Sequence, residues 1–378
     1  MSSGEIRSLY ESTSRMVKTL SIAVQGCAHG ELLNIYSKLE AQYGSKLPDL
    51  LIILGDFQSL RNEDDMESIA IPDRYKRLGD FPKYYSGELE APILTIFIGG
   101  NHECMQGLAE LPSGGFIAKN IYYMGYSGSV VIQGITISGL SGIYKHHDFN
   151  SARPSLEHIK IHGWHNYVRS MYHVRKSDVL PLFMLSKSDI MLSHDWPNGV
   201  VGHGNVKTLI KLKPYFKEDI RQGKLGSPVN WELLRSLMPR WWLSAHLHVK
   251  YEAEVVEKKR GLQETNPDEI DLDLDFNESS SSKNCNIEPR RTKFLALDKC
   301  GPKRKHMSLL ELPVDEAHPT FDSNEVRMYV NPEFEANRDF LTTNKATARK
   351  LQDIDFEELR HQRGDAGEIN WEHYELKH

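Results

Sequence analysis

Five short apolar runs, each ending in a cluster of polar side chains, limit the fold of this sequence more than any other feature. The runs are Leu20–Gln25, Asp49–Leu54, Pro92–Ile98, Ile190–Ser193 and Trp241–Ala245. The clusters that follow them are, in the same order, Gly26-Cys27-Ala28-His29-Gly30, Gly55-Asp56, Gly99-Gly100-Asn101-His102-Glu103, His194-Asp195-Trp196-Pro197 and His246-Leu247-His248. Continuous apolar runs of this length predict strands that are buried on both faces. In α/β folds ligands bind beyond the carboxyl ends of such strands, where all five clusters fall.

Segments with helical spacing alternate with these strands, which predicts an α/β fold. The predicted helices are Glu31–Gln42, Asp178–Leu185, Val206–Leu212, Trp231–Leu237, Pro332–Leu341 and Lys350–His361. Further short strands are predicted at Ile121–Met124, Val130–Gln133, Ile135–Ser138, Thr292–Asp298 and Met307–Leu312. The sequence therefore predicts sheets that are flanked by helices.

Changes in composition divide the chain into four parts. We expect residues 1–15 to be a disordered leader and residues 16–257 to form the main domain. Residues 258–291 contain an acidic run and Ser279–Ser282, with little apolar periodicity, so they are predicted to be a disordered acidic and serine-rich insertion. Residues 292–378 are predicted to supply two closing strands and a C-terminal domain, as an appendage packed on the main domain.

Overall composition excludes some classes of protein and leaves others open. The chain has 378 residues and a net charge of −6, but the acidic run Asp268–Glu278 accounts for this imbalance and the rest is close to neutral. Charge therefore does not exclude a polyanionic ligand. No apolar run approaches the roughly 20 residues of a membrane span. The polar N-terminus argues against secretion, and four cysteines in this length argue against a disulfide framework.

The five clusters supply metal ligands at spacings that suit a metal site. Residues i and i+2 of extended backbone point to the same side, so Cys27 and His29 can reach one ion, and so can His246 and His248. Taken singly, an aspartate after a strand is more often a helix cap, and a buried cysteine is usually a small hydrophobic residue. Five coincidences at five strand ends make a shared metal centre the better interpretation.

The pattern Gly-Asp, Gly-Asn-His-Glu, His and His-x-His resembles the calcineurin-like metallophosphoesterases. Within that superfamily, Cys27 in place of the usual first aspartate, together with the stretches VQGCAHG, LLIILGDFQSLR, FIGGNHE, SGIYK, LSHDWPNGV and WWLSAHLHV, resembles the RNA lariat debranching enzymes, most closely the fungal ones. The similarity covers about residues 17–312. It implies a four-layer α+β sandwich of two packed mixed sheets flanked by helices, with a two-metal centre.

The resemblance also implies a role for each site residue. Cys27, His29 and His248 would bind one ion, Asn101, His194 and His246 the other, and Asp56 would bridge the two. His102 would not bind metal but would act on the substrate phosphate as the catalytic acid or stabiliser. The two divalent ions are expected to be Fe²⁺, Zn²⁺ or both, because a thiolate is a soft ligand, and Mn²⁺ could substitute.

Residues 141–176, called here the basic aromatic segment, have an excess of four positive charges and many aromatic rings. Such a mixture suits single-stranded RNA, although an ordinary solvated loop has the same composition about as often. The resemblance favours RNA, because about residues 141–171 correspond to the loop that recognises the lariat branch point. The predicted RNA contacts are Tyr144, Lys145, Arg153, Trp164 and Arg169.

The resemblance thus implies a metal-dependent phosphodiesterase that hydrolyses the 2′–5′ bond at the branch of excised intron lariats. The alternatives are another metallophosphoesterase, such as a nuclease or phosphoprotein phosphatase, and a non-catalytic scaffold on the same fold. We expect a monomer without membrane contact, in the nucleus and also the cytoplasm, with spliceosome-associated factors as further partners. Lys258-Lys259-Arg260 and Lys303-Arg304-Lys305 could be nuclear import signals.

Overall fold

The computed structural model describes residues 18–257, 289–344, 350–364 and 367–377. The predicted leader and nearly all of the predicted acidic insertion lie outside these residues. The strands of the described part are Thr19–Gln25 (β1), Leu50–Ile53 (β2), Leu94–Phe97 (β3), Gly115–Ala118 (β4), Ile121–Tyr123 (β5), Ser127–Ile132 (β6), Ile135–Leu140 (β7), Ile190–Ser193 (β8), Trp241–Ser244 (β9), Tyr251–Val256 (β10), Arg291–Ala296 (β11), Met307–Pro313 (β12) and Met328–Val330 (β13).

Helices lie in the connections from β1 to β4 and from β7 to β9, and after β13. Those of the described part are Leu32–Tyr43 (α1), Phe81–Tyr85 (α2), Met105–Leu108 (α3), His146–Phe149 (α4), Leu156–His162 (α5), Val168–Met171 (α6), Lys176–Phe183 (α7), Val206–Leu212 (α8), Phe216–Arg221 (α9), Pro228–Leu237 (α10), Pro332–Thr343 (α11) and Phe356–Arg363 (α12). Among the described residues, no helix combines the length and the apolar character that crossing a membrane requires.

The strands form two mixed sheets. The first has the order β12-β1-β2-β3-β5-β4, and the second β10-β11-β9-β8-β7-β6-β13. In the first sheet β1, β2, β3 and β5 are parallel. In the second sheet β7, β8, β9 and β11 are parallel. The carboxyl ends of the parallel strands of each sheet therefore lie along one edge, and every predicted ligand cluster follows one of these strands.

Alternation along the strands explains the layered packing. In β2, Leu50 and Ile52 pack between the two sheets with residues such as Leu192 and Leu243, whereas Leu51 and Ile53 face α1. The second sheet packs its other face against α7, α10 and α11. Because both faces are covered, the central strands are apolar throughout, as the sequence predicted. Two mixed sheets flanked by helices confirm the predicted sandwich.

The C-terminal part completes both sheets. β12 pairs with β1 at one edge of the first sheet, while β11 and β13 join the second. Helices α11 and α12 pack beside α7, and the Arg360 guanidinium donates to the carbonyls of Phe183 and Met184. The predicted helix over Lys350–His361 is instead a 3-10 turn at Leu351–Asp353 followed by α12. The change occurs at Asp355, whose side chain caps α12 by accepting the Glu358 N–H.

Candidate metal centre and the segment beside it

The edges of the two sheets bring the five clusters together. The loops after β1, β2 and β3 come from the first sheet, and those after β8 and β9 from the second. Backbone hydrogen bonds fix the first two loops to each other, because the His29 N–H donates to the Asp56 carbonyl at 2.6 Å and the Gly30 N–H to the Phe57 carbonyl at 3.2 Å. The backbone at the ends of the parallel strands thus brings the predicted ligands close together, independently of contacts between their side chains.

Several predicted ligands occupy the left-handed backbone region, which non-glycine residues rarely adopt. The φ angles are 52° at His29, 47° at Asp56, 60° at His246 and 51° at His248. Each such residue costs roughly 1–2 kcal/mol relative to the right-handed conformation. Such a concentration of strained backbone is typical of functional sites. There the surrounding structure maintains an unfavourable backbone conformation, because this conformation directs the side chain into the site.

Glycines allow the loops to approach closely enough. A Cβ on Gly100 would lie 2.2 Å from Asp56 Oδ1 and 2.8 Å from His194 Cε1. A Cβ on Gly55, where φ is 98°, would lie 2.3 Å from His194 Nδ1. Both glycines are therefore required for the packing of the site, and Gly55 also for its positive φ.

One group of predicted ligands comprises Cys27, His29, Asp56 and His248. One ligand atom from each of these residues lies within 4.8 Å of those of the other three. The Nε2 atoms of His29 and His248 are 3.3 Å apart, and His29 Nε2 is 3.7 Å from Asp56 Oδ2. The sequence predicted the first three-ligand set and the aspartate that joins it, and the structure brings all four side chains together.

The second group comprises Asn101, His194 and His246, on the other side of Asp56. His194 Nε2 lies 3.2 Å from Asn101 Oδ1 and 3.4 Å from Asp56 Oδ1, and the His194 and His246 rings are 5.0 Å apart. His194 Nδ1 is 2.7 Å from the Leu54 carbonyl, to which it donates. That bond fixes the tautomer and leaves Nε2 free as a ligand, an arrangement common around metal-binding histidines.

The chemistry of these residues fits divalent cations. Asp56 Oδ2 is buried without a hydrogen-bond partner, which is costly unless a cation neutralises it. Burial lowers the pKa of His29 to about 4 and the pKa values of His246 and His248 to about 3, so these rings are uncharged at neutral pH and their lone pairs are available. Burial also raises the pKa of the Cys27 thiol, with Asp56 adding to the effect, so a bound cation would have to displace its proton.

His102 lies beside this centre with its orientation fixed. Its backbone N–H donates to Asp56 Oδ1 at 2.9 Å, and its Nδ1 lies 3.1 Å from the Ala70 carbonyl. The ring centroid is 5.9 Å from that of His29. With Nδ1 donating to a carbonyl, Nε2 is the ring atom that remains for a substrate.

Glu103 has a positioning role that the sequence did not reveal, although it belongs to the Gly-Asn-His-Glu motif. Its two buried carboxylate oxygens accept the backbone N–H groups of Gly100, Phe57 and Gln58 at 2.8–2.9 Å, and so tie together the loops after β2 and β3. Burial raises the pKa of Glu103 to about 8, with Asp56 adding to the effect. Gln58 also lies at the site, with its Nε2 3.3 Å from His29 Nδ1.

The five predicted RNA contacts in the basic aromatic segment differ in their exposure to solvent. Lys145 and Arg169 are exposed, and Tyr144 is half-buried against the Phe149 ring. Trp164, by contrast, is only 9% exposed and packs with Met105, Ile159 and Met171. Met105 lies two residues after Glu103 of the Gly-Asn-His-Glu loop. This small apolar core therefore packs the segment against the chain next to the metal centre.

Arg153 is also largely buried, with 12% of its side chain exposed. Its guanidinium forms a bidentate ion pair with Asp178 at 2.6 and 2.8 Å, donates to the carbonyls of Met171 and His173, and lies 3.5 Å from the centroid of the Tyr126 ring. The predicted RNA contacts Arg153 and Trp164 are thus largely buried in the segment. The Arg153 guanidinium satisfies internal partners and the Trp164 ring packs in the small core, so both side chains support the segment.

A second group of possible ligands, His147, Asp148 and His173, lies in the same segment. Asp148 Oδ2 is 2.6 Å from His173 Nδ1 and 3.8 Å from Arg175 Nη2. The Arg175 guanidinium is almost fully buried and already supplies the positive charge that balances Asp148. This group is therefore a network that fixes the segment.

Comparison with known proteins agrees with the fold. Residues 20–250 match the model of the calcineurin-like phosphoesterase family, and residues 289–371 match that of the lariat debranching enzyme C-terminal domain. The fold and the site thus define a calcineurin-like phosphoesterase, a hydrolase whose fold implies divalent metal ions.

Similarity to individual proteins identifies the family within this class of phosphoesterases. The chain is 48% identical to the lariat debranching enzyme of Saccharomyces cerevisiae, over 94% of this chain and 93% of that protein. It is 43% identical to the enzyme of Drosophila melanogaster and 41% identical to that of Homo sapiens, each over 80% of this chain. The chain spans 58% of the fly protein and 51% of the human protein. It belongs to the lariat debranching enzyme family.

Proposed function

We propose that this chain hydrolyses the 2′–5′ phosphodiester bond at the branch of excised intron lariats and yields linear RNA. The observation that carries the proposal is the convergence of seven ligand side chains with His102 at the joined edges of two sheets, in a chain of this family. The other two candidate functions are weaker. A non-catalytic scaffold does not need a full set of buried ligands, and a general nuclease or phosphatase does not need the attached basic aromatic segment.

The proposed ligands form two sets, one on each side of Asp56. Cys27, His29 and His248 would hold one divalent ion, Asn101, His194 and His246 the other, and the two oxygens of Asp56 would serve both. Divalent ions held in this way supply Lewis-acid polarisation of a phosphate and activation of a water. The Leu54 carbonyl orients His194, and Glu103 fixes the loops that carry Asp56 and Asn101.

His102 is the proposed proton donor. The departing sugar oxygen of a lariat branch is a poor leaving group, so a proton supplied to it lowers the barrier. The Ala70 carbonyl can accept the Nδ1 proton, which leaves the Nε2 proton for donation to the substrate. The Asp56 oxygen that accepts the His102 backbone N–H keeps the ring beside the ligands.

The identity of the metals rests on the Cys27 ligand. A thiolate favours Zn²⁺ or Fe²⁺ over Mg²⁺, and the histidines bind either ion. We therefore propose a centre with zinc, iron or both, in which Mn²⁺ can substitute. Metal analysis of protein purified without chelator tests this directly.

The substrate partner is proposed to be branched RNA, with Lys145, Arg169 and Tyr144 on the accessible face of the basic aromatic segment. Further proposals are a monomeric state, contact with spliceosome-associated factors, and a nuclear and cytoplasmic location. The nuclear location rests on the place where introns are excised.

Incubation with a branched 2′–5′ RNA and a linear 3′–5′ RNA of the same composition tests the function. We expect cleavage only at the branch, and loss of cleavage after metal removal by a chelator. Equal cleavage of the linear RNA would favour a general nuclease. Intact branched RNA with fully metal-loaded protein would favour the scaffold.

A further inference from the structure

The side chain of Gln58 lies in a buried position directly beside the ligand His29. Gln58 is 4% exposed, and its Nε2 lies 3.3 Å from His29 Nδ1. The other ring nitrogen of His29, Nε2, is 3.3 Å from His248 Nε2 and 3.7 Å from Asp56 Oδ2. Gln58 therefore contacts the ring nitrogen opposite the one that faces the other ligands.

The backbone of Gln58 adopts an unfavourable conformation that maintains this contact. Its φ angle is 63°, in the left-handed region that residues with a side chain rarely adopt. The Gln58 N–H donates to Glu103 Oε2 at 2.9 Å, which ties the residue to the loop after β3. A Cβ on Gly30 would lie 3.5 Å from Gln58 Oε1, so the amide also packs against the loop after β1. Contacts with both loops thus keep the amide beside the His29 ring.

Two other histidines of the site show what a contact at Nδ1 does. His194 Nδ1 lies 2.7 Å from the Leu54 carbonyl, and His102 Nδ1 lies 3.1 Å from the Ala70 carbonyl. A carbonyl can only accept, so both rings carry a proton on Nδ1. The partner of His29 Nδ1 is instead a side-chain amide, which can accept through its oxygen or donate through its nitrogen.

The two orientations of the Gln58 amide have opposite effects on His29. When the amide nitrogen donates to Nδ1, the proton of the neutral ring is on Nε2, where it faces His248, and Nε2 cannot bind a cation. When the amide is turned over, its oxygen accepts a proton from Nδ1 and the lone pair of Nε2 is available as a ligand. The turned amide keeps its shape, because its oxygen and nitrogen are nearly equal in size.

We infer that Gln58 is the positioning residue of His29 and that its amide turns over when the metal binds. The amide oxygen accepts the Nδ1 proton while a divalent cation is bound at the site shared with Cys27 and His248, and the amide nitrogen faces the ring otherwise. One proton leaves Nε2 and one arrives at Nδ1 by exchange with water, which can reach the ring because 19% of the His29 side chain is exposed. The ring stays neutral throughout. This inference rests on the proposed function, in which these side chains hold one of two ions.

The first test measures Zn²⁺ affinity by competition with a chromophoric chelator. Gln58→Leu should weaken the binding of one ion per chain by roughly 10–100-fold, the usual cost of removing the outer partner of a metal-binding histidine. The other ion should bind with the parental affinity. Gln58→Glu should bind both ions at least as tightly as the parent, because a carboxylate can only accept the Nδ1 proton.

Gln133→Leu is the matched control. Gln133 is also buried, has a φ of 52°, and donates to the carbonyls of Asp322 and Glu325. It lies in the turn that precedes β7, at the edge of the second sheet opposite the metal centre. Gln133→Leu should bind both ions with the parental affinity. An equal loss of affinity in the two leucine variants, or an equal loss in Gln58→Glu and Gln58→Leu, would overturn the inference.

The second test observes the tautomer of His29 and needs no change at Gln58. Long-range ¹H–¹⁵N correlation spectra of protein with ¹⁵N-labelled histidine distinguish a proton on Nδ1 from one on Nε2, and the spectrum of His29→Gln identifies the His29 signals. We expect the proton on Nε2 without metal and on Nδ1 with Zn²⁺. The same tautomer in both samples would contradict the turning of the amide.

Zn²⁺ binding by the parent chain separates this inference from the proposed function. A parent that binds no ion contradicts the proposed centre and the role of Gln58 together. A parent that binds two ions and cleaves branched RNA, with unchanged affinity in Gln58→Leu, contradicts the role of Gln58 alone.

Discussion

The metal centre and the basic aromatic segment were both predicted to be functional, but the structure brings the predicted side chains together only at the first. All seven predicted ligands and His102 converge at the edges of the sheets. Of the five predicted RNA contacts, Arg153 and Trp164 are largely buried, whereas Tyr144, Lys145 and Arg169 are more accessible. The two regions differ in what determines the direction of their side chains. The ends of the strands fix the direction of the ligands, whereas the composition of a loop does not indicate which of its side chains face solvent.

That difference has a physical basis. Parallel strands in register must end at the same edge, so residues just beyond them share a location whatever the loop does later. In a segment of short helices, a basic or aromatic residue can equally well satisfy an internal partner. Arg153 does so with Asp178 and Tyr126, and Trp164 does so in a small apolar core.

The largest effect is expected for His102→Ala, which tests the role of the metal centre. The variant should bind metal and branched RNA but lose roughly 10²–10⁴-fold in kcat, because general acid catalysis contributes about that much. Single-turnover cleavage of branched RNA measures the loss. An activated aryl phosphodiester, which needs no proton donor, should be cleaved at nearly the parental rate.

His165→Ala is the control, since His165 is an exposed histidine in the basic aromatic segment. It should retain the parental kcat. If His102→Ala loses metal, or cleaves branched RNA as fast as the parent, then His102 is a ligand or a bystander and the proposed acid role is wrong.

Cys27→Ala is expected to reduce metal content by about one ion per chain, because Cys27 contributes to only one of the two ligand groups. Elemental analysis of protein purified without chelator measures this. Cys104→Ala is the matched control, since Cys104 is equally buried but hydrogen-bonds with Ser68 away from the ligands. Full metal content in Cys27→Ala would contradict the assignment of the thiol.

Much of the fold followed from the sequence because continuous apolar runs identify the central strands. The predicted bounds of β8 and α8 agree with the structure, and those of β1, β2, β3 and β9 differ by one or two residues. The edge strands β4, β10 and β13 were missed. In β10, Glu252 and Glu254 face outward beside β11, so an antiparallel edge strand lacks the apolar continuity that identified the others.

The site was predictable as a set of ligands but not as a geometry. Nothing in the residue types indicates that His29, Asp56, His246 and His248 adopt positive φ, because these residues rarely do so without tertiary contacts. The role of Glu103 depends on backbone donors contributed by two loops that are far apart in the chain. Such long-range contacts leave no local pattern.

A smaller effect, on stability rather than catalysis, is expected for Arg153→Met. The substitution keeps much of the volume but leaves Asp178 without its bidentate partner in the interior, and breaking a buried pair typically costs about 3 kcal/mol. Denaturant unfolding measures the change. Arg169→Met, in the same segment but exposed, should stay within about 0.5 kcal/mol of the parent. Equal stability of the two variants would show that the burial of Arg153 has no energetic consequence.

The smallest effect is expected for the accessible side chains of the basic aromatic segment. Arg169→Gln and Lys145→Gln should each weaken binding of branched RNA by roughly two- to fivefold, because an exposed cation contributes modestly to binding a phosphate in water. Binding is measured in the His102→Ala background, where cleavage is slow, at low and at moderate salt. The difference from the parent should shrink as salt rises, since each contact releases condensed counterions from the RNA. Lys119→Gln is the control, because Lys119 is an exposed cation paired with Glu90 outside the segment. If both variants bind as tightly as this control at low salt, the segment supports the metal centre through Arg153 and Trp164 but does not contact RNA through its exposed cations.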